Sequence, residues 1–104
     1  MPISTASVST TTSAVYTSSS NTAITFCSIC NYGAGNITAN VYVVPNGGSV
    51  SNTNIILKSL EITAADTYQL YAGGEKLLLS TGDTLQVNVS ANSSASVVTS
   101  YTTI

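Results

Sequence analysis

The sequence predicts an all-β chain: a single-domain antiparallel β-sandwich of jelly-roll or immunoglobulin-like connectivity, with about eight short strands and an extended N-terminal arm. Three observations predict it. β-Branched residues run through the whole length, and no segment keeps a helical period. Apolar and polar residues alternate over short runs, which puts one side of each run toward a core. Turn signals then divide these runs at close intervals: Gly33-Ala34-Gly35-Asn36, Pro45-Asn46-Gly47-Gly48, Gly73-Gly74, Thr81-Gly82-Asp83 and Asn92-Ser93-Ser94.

Residues 1–20 are dominated by Ser and Thr, with Val8, Val15 and Tyr16 as the main apolar points. They read as an arm that finishes in a first strand near Ser13 to Ser18 and orders on assembly, and residues 21–104 read as the sandwich domain. From Thr22 to Tyr32 the alternation places Ile24, Phe26, Ser28, Cys30 and Tyr32 on one side. Ala23, Thr25, Cys27, Ile29 and Asn31 fall on the other. Ile37, Ala39, Val41 and Val43 form the apolar side of the next strand, with Thr38, Asn40 and Tyr42 opposite. Pro45 stops it, since proline has no N–H for a central ladder.

A strand follows from about Thr53 to Ile62, with Ile55, Leu57, Ser59 and Glu61 sharing one side and Ile56, Lys58, Leu60 and Ile62 the other. Asp66 to Ala72 and Glu75 to Ser80 read as a hairpin joined at Gly73-Gly74. Leu85, Val87, Val89 and Ala91 line the following strand, and Ala95 to Thr103 closes the fold.

Composition bears on function. Of 104 residues only 6% are charged, 43% are hydrophobic, and Ser and Thr together make up about a third. There is no His, Arg or Trp. General acids, bases and nucleophiles come mostly from His, Asp, Glu, Lys and Cys. Here that supply is Glu61, Asp66, Glu75, Asp83, Lys58, Lys76, Cys27 and Cys30, scattered along the chain. A net charge of −2 with two lysines cannot build a phosphate-binding surface, so nucleic acid and anionic membrane are not expected partners. Few charges mean weak repulsion between copies, which favours a homo-oligomer. The first residues, Met1-Pro2-Ile3-Ser4, lack the basic start and apolar stretch of a secretory signal, so synthesis in a cytoplasm is expected.

Cys27-Ser28-Ile29-Cys30 has the spacing of a zinc or redox pair. Zinc needs four ligands, and a redox pair belongs at a helix N-terminus. Inside a strand the two thiols point to opposite sides, so both read as reduced and as small apolar fillers. Asp66 and Asp83 suit turns, where a carboxylate accepts backbone N–H groups, and Glu75 with Lys76 reads as an exposed pair. Asn36-Ile37-Thr38, Asn88-Val89-Ser90 and Asn92-Ser93-Ser94 match the glycosylation pattern by composition alone. No catalytic residue, cofactor or metal ligand is expected, and the chain reads as non-enzymatic. The residues singled out as an interaction surface are Val8, Val15, Tyr16, Tyr42 and Tyr71. Tyrosine is common at interfaces and carbohydrate contacts.

Beyond this, the runs Ala23-Ile24-Thr25-Phe26, Cys30-Asn31-Tyr32 and Val41-Tyr42-Val43-Val44-Pro45-Asn46-Gly47-Gly48 resemble small virion proteins of tailed bacteriophages. So do Glu75-Lys76-Leu77-Leu78-Leu79, Gly82-Asp83-Thr84-Leu85 and the closing Ser100-Tyr101-Thr102-Thr103-Ile104. The resemblance covers about four-fifths of the chain and includes no catalytic signature. It implies a capsid decoration (cement) protein, often a trimer, that binds the major capsid protein across subunit joints on the virion surface and stabilises the shell. The alternative it implies is a tail- or fibre-associated module that binds a receptor or glycan.

Overall fold

The computed structural model describes residues 3–70, 77–91 and 94–103. Nine strands and no helix occur among them: β1 (Ile3–Val8), β2 (Ser13–Thr17), β3 (Thr22–Asn31), β4 (Ile37–Val44), β5 (Ile55–Ile62), β6 (Thr67–Leu70), β7 (Leu77–Leu79), β8 (Thr84–Val89) and β9 (Ala95–Thr103). They form two antiparallel sheets packed face to face. Sheet A has the order β1-β9-β3-β6, with β7 also on β3, and sheet B has the order β2-β8-β4-β5.

β6 and β7 lie end to end along one side of β3, against Cys27–Cys30 and Thr22–Ile24 respectively. Counted as one interrupted strand, they complete a nested set of pairs in chain order: first with last (β1·β9), second with second-last (β2·β8), then β3 with β6/β7, and β4 with β5. That is a long hairpin wound on itself, the jelly-roll form of the predicted sandwich. Both β6 and β7 run antiparallel to β3, so they do not make the hairpin expected at Gly73-Gly74. That turn lies outside the described residues. The ten-residue β3 offers an edge long enough for both.

The larger correction concerns residues 3–20. They are two strands of the sandwich rather than an arm beside it: β1 pairs with β9 over six residues, and β2 pairs with β8. Val8, Val15 and Tyr16 are buried in the core between the sheets. Two apolar side chains per short strand suffice here because each strand lies at a sheet edge, where its inward residues meet a core that other strands already fill.

The core is built from inward residues of both sheets, among them Ile24, Cys27, Ile29 and Val97 from sheet A and Ile37, Val41, Leu85 and Val87 from sheet B. Register shifts in three strands change which residues face it. In β2 the register slips at Val15, so consecutive Val15 and Tyr16 both turn inward. In β3 it slips between Ile24 and Phe26, so Ile24 and Cys27 share the buried side that strict alternation denied them. In β5 the bulged residue is Ser59, held at φ 53°. It brings Leu57 and Leu60 to the same inward side and sends Glu61 out.

Each end of the sandwich is closed by polar contacts. At one end Asn31, fully buried, donates through Nδ2 to the carbonyls of Gly35 (2.8 Å) and Ile62 (3.0 Å), and its Oδ1 accepts from Gly33 N–H (3.0 Å). At the other end the Asp83 carboxylate accepts from Asn46 N–H and Ser80 N–H, both at 2.9 Å. The Ser18 N–H and carbonyl bond to Asp83 and Gly82 across the same end. The turn role read for Asp83 is its role in the structure, and Asp66 likewise accepts from Thr67 N–H at 2.8 Å.

Candidate interaction surface

The two outer faces differ in chemistry. None of the five strands of sheet A contains an Asp, Glu or Lys residue, whereas β5 of sheet B carries exposed Lys58 and Glu61. The register sets the outward residues of sheet A in rows across the strands: Ile3, Ser100 and Phe26; then Thr5, Val98, Ser28 and Gln69; then Ser7, Ser96, Cys30 and Thr67. Every one is small, hydroxylic, amide or apolar. Ile3 (61% exposed) and Leu78 (65% exposed) project from the same face. A shallow groove runs along the β1/β9 pair, lined by Thr5, Ala6, Ser7, Ser96, Val97 and Val98. Surfaces of free small domains usually mix in roughly a quarter to a third of charged residues. A face this wide without any among its described residues is suited to being covered.

On the outer face of sheet B the polar groups are spent on one another. Asn88 Nδ2 donates to Thr12 Oγ1 (2.7 Å), and Asn40 Nδ2 donates to Asn88 Oδ1 (2.7 Å). Asn40 Oδ1 in turn accepts from the bulged Ser59 N–H (2.8 Å). This ladder runs from the residue just before β2 across β8 and β4 to β5. It explains why Asn stands mid-strand at positions 40 and 88, and why Asn88 is no free glycan acceptor.

The residues singled out from sequence do not assemble into one surface. Val8, Val15 and Tyr16 are core residues. The ring of Tyr16 stacks on Tyr101 with centroids 4.4 Å apart, and its hydroxyl donates to the buried Thr22 hydroxyl. Tyr42 is half-buried on sheet B beside Gln86, and Tyr71 lies outside the described residues. Tyr68 packs inward against the core. Among the described tyrosines only Tyr32 is exposed, at the end of the sandwich closed by Asn31. The face of sheet A was missed because its signal is a lack of charge, spread over strands that are distant in sequence.

The two thiols are both free, Cys27 buried and Cys30 partly exposed on the opposite side of β3. Burial pushes the Cys27 thiol up to about 11 from 9.0, partly offset by the Thr99 hydroxyl, whose oxygen lies 3.9 Å from the sulfur. Cys27 therefore stays protonated in the native state where the unfolded thiol ionises. Its contribution to stability is intact below pH 9 and falls as pH rises from about 9 to about 11, by at most roughly 1.4 kcal/mol per pH unit. Two measurements check this. A thiol reagent added to native protein should label Cys30 first and Cys27 only on unfolding. Urea titrations of Cys27→Ala should show a shallower alkaline loss of stability than the parent. Among the described residues no group of three or more Cys, Asp or Glu side chains is placed to hold a metal ion.

Comparison with protein-family models, curated proteins and solved structures finds no match for this chain.

Proposed function

We propose that this chain is a non-enzymatic structural protein of a virion: a capsid decoration (cement) module of the tailed-bacteriophage kind. In this reading it lies over joints between capsid subunits, with the outer face of sheet A against the shell. The observation that carries it is the outer face of that sheet, uncharged among its described residues and rimmed by exposed Ile3 and Leu78. A broad neutral β-surface loses little on desolvation, because no ion must leave water, and Ser and Thr hydroxyls find partners in an apposed backbone. Burying such a face across a joint adds area that must be re-exposed before the subunits part. The jelly roll serves capsid proteins and lectins alike, so the fold supports the reading only by analogy.

Quantitative mass spectrometry of purified particles tests it. A copy number within a few-fold of the major capsid protein is the expected result, and absence from the particle overturns the proposal. Attachment should be lost in Val98→Glu, at the centre of the sheet A face, and kept in Lys58→Glu on sheet B. The second reading is a tail or fibre module that binds a receptor or glycan. Its foothold is Tyr32, whose exposed ring at one loop end is suited to a sugar face. A copy number many-fold below that of the capsid protein, with glycan binding lost in Tyr32→Ala, would favour it.

A further inference from the structure

A β-sandwich has four strand edges, and in this one three are blunted. The β5 edge carries Lys58, Glu61 and the positive-φ bulge at Ser59. The β2 edge is short and bulged at Val15, whose carbonyl accepts from Ser4 Oγ at 3.1 Å. The opposite edge of sheet A is split between the four-residue β6 and the three-residue β7. Charges, bulges and short strands are the devices by which β-proteins prevent edge-to-edge association.

β1 has none of them. Its register with β9 runs unbroken from Ile3↔Ser100 to Val8↔Ala95. Its six residues include no charge and no proline, and among the described residues no strand pairs with its other side. We propose that this edge is a self-association site, at which β1 of a second copy pairs antiparallel about a two-fold axis and joins the two A sheets into one.

Charge selects the occupant. A charged guest strand would find no counter-charge on β1 or β9, whereas an identical neutral strand meets no repulsion and brings the same alternation. The two-fold lies perpendicular to the sheet, so Ile3, Thr5 and Ser7 of both copies emerge on one side and the uncharged face doubles in width. Six residues span about 20 Å of edge. Main-chain pairing of that length buries less than the roughly 1,200 Å² of a standard stable interface, so the pair forms weakly and by mass action. This inference stands apart from the virion reading. A monomer that attaches to particles would sink only the pairing, and a dimer found on no particle would sink only the virion role.

Sedimentation from low micromolar to millimolar concentration, with hydrogen exchange at both extremes, tests it. The expected result is a monomer–dimer equilibrium in which the β1 amides gain protection as concentration rises. Thr5→Lys, exposed and outward-facing, should weaken dimerisation at least tenfold while leaving the thermal melt in place, because the two-fold brings both lysines together. Gln69→Lys, the same change at the far edge of sheet A, should leave dimerisation unaltered. A chain monomeric at every concentration overturns the proposal. So does a dimer with no gain of protection in β1, or equal weakening by the two lysine variants.

Discussion

Removing residues 1–20 should abolish cooperative folding rather than release a stable sandwich domain. The shortened chain should show no sigmoidal thermal transition by circular dichroism and collapsed amide dispersion by NMR. The deletion takes Val8, Val15 and Tyr16 out of the core, worth together roughly 5–9 kcal/mol at about 1.5–3 kcal/mol per buried apolar side chain. It also strips β9 and β8 of a ladder partner each, and it removes the Ser18 bonds to Gly82 and Asp83. A domain of this size has about 5–15 kcal/mol in total, so little remains. A melt retained within a few degrees of the intact chain would mean that these strands are accessory to the sandwich, as an arm would be.

Asn31→Leu should cost about 2–4 kcal/mol, read as a lower midpoint in urea with an unchanged slope. Leucine fills much of the same space but leaves the Ile62 carbonyl without its buried donor. It also strands the Gly35 carbonyl and the Gly33 N–H at the rim of the site. Those three contacts join the end of β3 to the β3–β4 turn and to the end of β5, so the loss falls on the closure between the sheets.

Asn31→Asp separates hydrogen bonding from shape. It keeps an oxygen for Gly33 N–H but sets a carboxylate against two carbonyl oxygens in a buried site, which raises its folded-state pKa. This variant should be most stable below the ordinary carboxyl value of about 3.9 and should weaken as pH rises from there through the raised folded value. The same stability at pH 4 and pH 7 would show that water reaches the site and that Asn31 is not its donor of consequence.

Where strands obey strict alternation, the sequence was enough. Ile37, Ala39 and Val41 in β4, with Leu85, Val87 and Val89 in β8, face the core as their spacing predicts. Cys27, Ile29 and Asn31 also share one inward side. Parity broke where one residue was inserted into a ladder. A bulge shifts every later side chain to the other face, and Ser59 carries no Gly or Asn signal for its positive φ. Residues 3–20 escaped because edge strands rich in Ser and Thr look like unstructured polar chain until their partners, β9 and β8, are known. The candidate surface was harder still to see. Its residues come from strands spread over nearly the whole chain, and only the order β1-β9-β3-β6 collects the neutral ones on one side.

That order also governs how the protein is made. The middle of sheet A belongs to β9, the last strand in chain order, which sits between β1 and β3. β8 separates β2 from β4 in the same way. As the chain leaves the ribosome its first strands have no neighbours to pair with, and β4 with β5 is the first pair to be complete in chain order. Both sheets must wait for β8 and β9, so the fold closes late, through contacts between strands far apart in sequence. Until β9 inserts, β1 has no strand partner and β3 has only β6 and β7 along one side, and that interval is when copies are most exposed to mispairing.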